Sequence, residues 1–377
     1  MQIVYQNFDG LEIAFKGAVA YRIRWALARA KQQAIKMLSP VYCELGPKKL
    51  PVMVHEAGAR GGYTYQFSTG LDGEIWLVAE KGNPDRWNIR VKVRSLCLAL
   101  NGYEKTKEKI FKTLAYDLLV KGPKDNEFKP LGHISRADYC VDFLMTEEFI
   151  PNYANFVCCG TTQKKQIGDI ACHEGSRGRN IETLTVGKMP NRQICLYNKT
   201  REIKARSKSY WFKLWGLNEP DITGPIWRVE IRAGKKELKK WPLRTFSDFE
   251  KKIGDVILDI LNSYKYTTPN FSDTNQSRWP LAEIWEKTIQ AVEGNLLNYI
   301  SKAPRGEIMQ EIAELALDRY YKHICGLAVS YTAASGKKIS DMSKIMEFIS
   351  AQIAEDIQNN PEKFGQKYEK AQFKYKK

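Results

Sequence analysis

The segment RQICLYNKTRE sets Tyr197 and Lys199 two residues apart, with Arg201 and Glu202 close behind. A phenol beside an ammonium suits nucleophilic attack, because a free tyrosine titrates near ~10 and needs a cation or a base to act at neutral pH. Two other stretches carry charged partners for such an attack. ISRADYCVDF alternates Arg136, Asp138, Cys140 and Asp142 with Ala137, Tyr139, Val141 and Phe143, and IWRVEIR alternates Arg228, Glu230 and Arg232 with Trp227, Val229 and Ile231. A period of two puts each charged set on one face of a strand. If the three strands are neighbours, their polar faces gather hard oxygen ligands for Mg²⁺ or Mn²⁺, cations for a phosphate and a hydroxyl nucleophile. That is the composition of a phosphoryl-transfer site. Any one of these strands, taken alone, reads more simply as the solvated, charge-paired face of an antiparallel sheet.

The elements that must position these residues read as α+β. Strands are expected at Gly10–Lys16, Gly62–Phe67, Glu74–Glu80 and Asn88–Ser95, and helices at Tyr21–Met37 and Lys105–Leu119. In NIRVKVRS, Ile89, Val91 and Val93 face one way and Arg90, Lys92 and Arg94 the other. A strand at Ile134–Leu144, a helix at Glu147–Cys158 and a loop at His173–Asn180 follow. Next come a hairpin from Thr183 through Tyr197, a strand at Ile226–Arg232 and a helix at Phe246–Leu261. The expected fold is an antiparallel sheet with helices packed on one face, in two related halves. The expected domains are an α+β region over 1–265 with a sub-boundary near 125–130, a polar linker over 266–280 and a helical domain over 281–377. In that last part Ile284, Trp285 and Val292, then Met309, Ile312 and Ala316, then Ile345, Ile349, Ile353 and Ile357 recur at helical spacing, which predicts the core of a small bundle. The tail KFGQKYEKAQFKYKK is basic with interleaved aromatics and reads as a DNA contact or an ordinary solvated terminus.

The formal net charge of +16 selects a polyanionic partner and disfavours a metabolic enzyme for small substrates. About +14 of it falls before Arg278, so the polyanion is expected on the first part of the chain. No apolar run is long enough to span a bilayer, and no basic amphipathic helix calls for a membrane surface. The start MQIVYQNFDG has neither the basic nor the apolar part of a signal peptide, and the eight cysteines are scattered, so a cytoplasmic protein with reduced thiols is expected. Cys172 and His173 give a zinc site only isolated ligands.

Three motifs in order resemble the transfer-type rolling-circle replication initiators and the related relaxases of mobile elements. They are R-x-D-x-x-x-D (Arg136, Asp138, Asp142), a glycine (Gly187) followed by Y-x-K-x-x-E (Tyr197, Lys199, Glu202), and R-V-E-I (Arg228 to Ile231). The resemblance covers Gly62 to Tyr266. It implies site-specific nicking of origin DNA by Tyr197, with a 5′-phosphotyrosyl intermediate and a freed 3′-hydroxyl, to start rolling-circle replication or transfer. On that reading Lys199 favours the phenolate, and Asp142 and Glu230, with Asp138, hold Mg²⁺ or Mn²⁺. Arg228 or Arg136 stabilises the phosphoryl oxygens, and Glu202 is a base or a helix-start residue. DNA contacts are expected from Arg136, Arg192, Arg201, Arg90, Lys92 and Arg94. The implied partners are duplex and single-stranded origin DNA, a host helicase and polymerase, and a second copy of the chain. Family members commonly carry Asp where this chain has Asn198. Many other rolling-circle nucleases bind metal through a histidine-hydrophobe-histidine strand; His55, His133, His173 and His323 are too far apart for that motif, so carboxylates take the role, with His133 an outside candidate. The rival from another class is a non-catalytic origin-binding or regulatory protein on the same scaffold.

Overall fold

The computed structural model describes residues 1–80, 83–121, 131–159, 173–177, 180–219, 222–243, 245–294, 296–297 and 303–375. The first half contains β1 (Gln2–Phe15), α1 (Tyr21–Met37), β2 (Val41–Leu45), β3 (Leu50–Val54), β4 (Tyr65–Ser68), β5 (Ile75–Val78), β6 (Ile89–Arg94) and α2 (Ser95–Lys112). The second contains β7 (Gly132–Leu144), β8 (Phe156–Cys158), β9 (His173–Arg177), β10 (Asn180–Gly187), β11 (Arg192–Asn198), α3 (Lys199–Ala205), α4 (Trp211–Trp215), β12 (Ile226–Ala233), α5 (Lys235–Leu238), α6 (Phe246–Ser263) and β13 (Tyr264–Tyr266). Four helices end the chain: α7 (Glu283–Glu293), α8 (Arg305–Ala334), α9 (Met342–Asn359) and α10 (Pro361–Tyr375).

Eleven strands join in one antiparallel sheet, in the order β2-β3-β4-β5-β6-β1-β7-β12-β11-β10-β9. The two halves meet where the long strands β1 and β7 pair, and that seam is bulged at three places, on β1 at Val4 and Asp9 and on β7 at Ser135. The expected α+β fold is therefore observed. The apolar face of the sheet, with Val91, Tyr139, Val141, Val229 and Ile231, is buried under α1, α2, α6 and α7. α6 shows why: Ile253, Val256, Ile257 and Ile260 recur at helical spacing and are buried, each contributing ~1.5–3 kcal/mol. Its first turn is closed by a capping box in which Thr245 and Asp248 satisfy each other's backbone N–H groups.

Several expectations differ from the structure. α2 begins at Ser95, ten residues before the expected helix, and is kinked at Gly102, whose φ of 70° is open to glycine. Glu147–Cys158 is not helical: it holds a single 3₁₀ turn and then β8, which pairs with β13. His173–Arg177 is an edge strand rather than a loop, because it pairs with β10. The polar face is not left bare. α3, α4 and the start of α8 lay Ile203, Trp211, Phe212, Trp215 and Ile308 over one end of it. The helical C-terminal region is as expected, but its stripes do not build one bundle. Ile284, Trp285 and Val292 of α7 join the main core, whereas among the described residues α9 and α10 bury none, with Ile353 50% and Ile357 44% exposed. Among the described residues no helix is long and apolar enough to cross a membrane.

Candidate active site

The register of four strands sets the site. Tyr197 on β11 pairs with Arg228 on β12, Arg228 with Asp142 on β7, and Asp142 with Tyr5 on β1. The next row on the same face is Cys195, Glu230, Cys140 and Asn7, and the one after it Gln193, Arg232, Asp138 and Gly10. The three charged strand faces read from the sequence are thus neighbours in one sheet. Tyr139 lies on the opposite, buried face against Phe8, and Tyr210 opens the aromatic turn that packs over the site.

Tyr197 is half-buried, and its hydroxyl donates to Oε2 of Glu230 at 3.1 Å. Burial pushes its phenol well above the ordinary value; the Arg228 charge opposes that rise, while Glu230, Asp9 and Asp142 reinforce it. The largest cationic influence on the phenol therefore comes from Arg228 rather than Lys199. Lys199 is buried with its Nζ 2.8 Å from Oε2 of Glu202, so its charge is spent on that carboxylate. Burial, and the nearby Arg228 charge, lower its ammonium below the usual range, against the pull of Asp9 and Glu202.

Asp142 is fully buried and accepts from Nε of Arg228 at 2.6 Å, Nη2 of Arg228 at 2.7 Å and the Trp215 indole at 2.8 Å. Both its oxygens are occupied by donors, so the expected metal ligand is the anchor of a buried arginine. Arg228, itself fully buried, reaches on to Asp9 at 2.6 Å and lies 4.6 Å under the Trp211 ring. Its two carboxylates outweigh the desolvation cost and hold it firmly protonated.

Glu230 and Asp138 remain as candidate metal ligands. Glu230 holds Arg232 at 2.7 Å through its other oxygen, and Asp138 is held by Arg136 at 2.9 and 3.0 Å. The Asp138 carboxyl is pushed up to about 6, first by burial and further by the Glu230 charge, with Arg136 opposing. Both oxygens of Glu230 and of Asp138 are bonded, as in Asp142, but their arginine partners Arg136 and Arg232 are partly exposed, whereas Arg228 beside Asp142 is wholly buried. Among the described residues no three histidine, cysteine or acidic side chains converge on one point, and Cys172 lies outside those residues.

Glu202 is not suited to be a base. Burial alone would raise its carboxyl, but Lys199 and Lys208 hold it down to about 2. It sits in the first turn of α3, binding Lys199, Lys208 and Arg206. Asn198 is the N-cap of that helix, and its side chain accepts from the Arg201 N–H at 3.0 Å. Asn and Asp cap helices about equally well, so Asn198 in place of the common Asp exchanges one cap for another.

Of the expected DNA contacts, Arg192 and Arg94 have structural partners instead. Arg192 clamps buried Glu237 with two bonds of 2.8 and 2.9 Å, and Arg94 donates to the carbonyls of Gly70 and Gly73. Arg136, Arg90 and Lys92 line the open part of the polar face: Arg136 pairs with Glu12, Glu12 with Lys92, and His133 with Ala14 and Ala14 with Arg90. Arg90 is bonded to Glu12. Burial lowers the Lys92 ammonium, and the charges of Arg90 and Arg136 lower it further. Arg201 is 48% exposed and pairs with Glu182.

Asp9, Trp211 and Trp215 were not found from sequence. Asp9 stands where β1 is bulged, so its side-chain direction escapes simple alternation. The available signal is the Asp9-Gly10 pair within the strand segment NFDGLEI.

The family comparison singles out the segment that carries this site. Residues 132–311 match the replication initiation factor family. The match begins with β7, ends in the first turns of α8 and bears out the resemblance carried by the three motifs. No curated protein matches. Among solved structures the chain is similar to a rolling circle replication initiator protein from Geobacillus stearothermophilus, with 17% identity, 78% of this chain and 98% of that chain covered, and a TM-score of 0.42.

Proposed function

We propose that this replication initiation factor nicks origin DNA through Tyr197 and starts rolling-circle replication or transfer of a mobile element. The observation that carries the reading is the Tyr197–Glu230 hydrogen bond at 3.1 Å, with Arg228 opposite the tyrosine. In the reaction the Tyr197 oxygen bonds to the scissile phosphorus, the 3′-oxygen leaves with the electron pair of the broken P–O bond, and the phenolic proton passes to Glu230. The DNA is left with a 5′-phosphotyrosyl end and a 3′-hydroxyl, once the leaving oxygen takes a proton from water.

A phenol held well above its ordinary pKa is not a standing phenolate, so proton transfer has to accompany attack. This gives Glu230 the role of general base, beside its candidacy as a ligand. Arg228 is fixed by Asp142 and Asp9 and raises the positive potential at the tyrosine without rearranging. Lys199, pinned by Glu202, positions the start of α3 behind the tyrosine. Glu230 and Asp138 would hold a divalent cation, which would supply charge for the phosphoryl oxygens.

The deciding experiment incubates the protein and Tyr197→Phe with supercoiled DNA carrying the neighbourhood of its own gene, with Mg²⁺ or Mn²⁺. A nick and a covalent protein–DNA adduct from the unaltered protein alone support the reading. Binding without an adduct under every metal condition leaves the non-catalytic origin-binding protein in its place.

A further inference from the structure

The open polar face ends in a cleft at the far end of β7 from Asp142. It has two lobes, about 570 and about 500 Å³, which share Trp87, His133, Lys235 and Lys239 as walls. The first lobe adds Trp241 and the second adds Arg90 and Arg136. The Trp87 indole is 43% exposed although its backbone is fixed. Its carbonyl accepts from the Tyr63 hydroxyl at 3.5 Å, and the next residue, Asn88, is buried and donates to the Gly17 carbonyl at 2.7 Å. The His133 ring meets the indole edge-to-face at 4.4 Å between centroids, and Lys16 lies 5.4 Å from the indole centroid. A large aromatic ring at a solvent-facing cleft, with cations around it, is the arrangement that stacks nucleic-acid bases.

Charge points the same way. Arg90 and Arg136 are matched by Glu12 and Asp138. Lys235 and Lys239 have no ion pair among the described residues. Burial lowers the His133 imidazole, and the Lys235 and Lys239 charges lower it further; Glu12, the carboxylate that lines the second lobe, is bonded to Arg90. Each lobe has the volume of a small-molecule site, which suits one or two bases but not a duplex.

We propose that this cleft is a subsite for single-stranded DNA, with bases on Trp87 and Trp241 and phosphates on Lys235 and Lys239. The proposal rests on the DNA-nicking reading and extends it to the strand away from the scissile phosphate. His133 lies about nine residues from Asp142 along β7, or roughly 30 Å at strand rise. A strand running from Tyr197 over Arg232, Arg136 and Lys92 reaches the cleft in about nine nucleotides at a duplex-like rise, and in fewer if extended.

The experiment is a fluorescence anisotropy titration of Tyr197→Phe, which holds no covalent DNA, and of the same protein carrying Trp87→Ala, Trp87→Phe or Lys235→Ala with Lys239→Ala. The probes are labelled oligo-dT of about 6 and about 24 nucleotides and a duplex of the longer length. Trp87→Ala is expected to weaken the long single strand about 10-fold or more, and Trp87→Phe by less than about threefold. The lysine pair is expected to reduce the salt slope by about 1.4. An unchanged long-strand affinity in a folded Trp87→Ala, or an equal loss on duplex and single strand, overturns the proposal. If Trp87→Ala does not fold, Trp87→Phe and the lysine pair decide: an unchanged salt slope overturns it. These outcomes stand apart from the nicking reading, which fails on the covalent adduct and not on affinity.

Discussion

The Tyr197 hydroxyl donates a hydrogen bond diagonally across the β11–β12 pair to Glu230, 3.1 Å away, while its direct neighbour is Arg228, which has no acceptor to offer. Diagonal neighbours in an antiparallel pair lie within reach of long side chains. The register therefore gives the phenol a proton acceptor on one side and a fixed cation on the other.

Glu230→Gln keeps the size of the side chain and removes its basicity. Covalent adduct formation is expected to slow by about 10²- to 10⁴-fold, with DNA affinity retained. Single-turnover cleavage of an oligonucleotide carrying the nick site measures it. A rate within about twofold of the unaltered protein removes Glu230 from proton transfer.

Asp142 and Glu230 should separate in a metal titration. Asp142→Asn is expected to leave Mn²⁺ affinity within about threefold but to lower stability by about 3 kcal/mol, because it strips the buried one of the two carboxylates, Asp142 and Asp9, that pair with Arg228. Glu230→Gln is expected to weaken Mn²⁺ binding with a smaller loss of stability. Calorimetric Mn²⁺ titrations and thermal melts of both variants read the two effects. Strong loss of Mn²⁺ binding in a folded Asp142→Asn restores it as a ligand.

Asp138 predicts a pH signature. Its folded-state pKa is raised from 3.8 to about 6, so the folded protein holds this proton more tightly than the unfolded chain. The contribution to stability is whole below pH 3.8 and is lost as pH rises through about 6, a cost of roughly 3 kcal/mol above that. Asp138→Asn should thus melt higher than the unaltered protein above about pH 6 and lose that advantage toward pH 4. A melting-temperature difference that does not vary over this range contradicts the assignment.

Asn198→Asp preserves the α3 cap and adds a charge that favours a helix N-terminus, so folding and cleavage are expected to be near those of the unaltered protein. Asn198→Ala removes the bond to the Arg201 N–H and should cost about 1 kcal/mol. Urea denaturation of the pair checks this. Equal stability of the two variants would mean the cap contributes nothing.

The separable part of the C-terminus is expected to begin within α8. Truncation at Ser277 removes Trp285 and Ile284 from the main core, together with Ile308 and the Ser209–Glu311 bond at the site, and should leave an unfolded chain. Truncation after Asp318 keeps all of these and should leave a folded protein that still binds single-stranded DNA. Circular dichroism and anisotropy test both forms; a folded Ser277 truncation refutes this boundary.

The sequence by itself determined which residues belong to the polar and apolar faces of β7, β11 and β12, because alternation with a period of two is local. It also determined α1 to the residue and the family resemblance that the comparison bears out. The pairing of those strands was not legible, since antiparallel register is set by contacts between Asp142, Arg228 and Tyr197 that lie far apart in the chain. Only the tertiary structure decided what each charge is used for. Asp142, Arg192 and Glu202 have the same residue types as working active-site groups, but burial against Arg228, Glu237 and Lys199 commits them to holding the fold. Asp9 entered the site through a bulge, which breaks alternation, and the stripe of α9 is not buried, because α8 and α10 touch that helix without covering Ile353 and Ile357. Spacing fixes the direction of a side chain along its own strand; its partner, and hence its chemistry, depends on which other segment folds beside it.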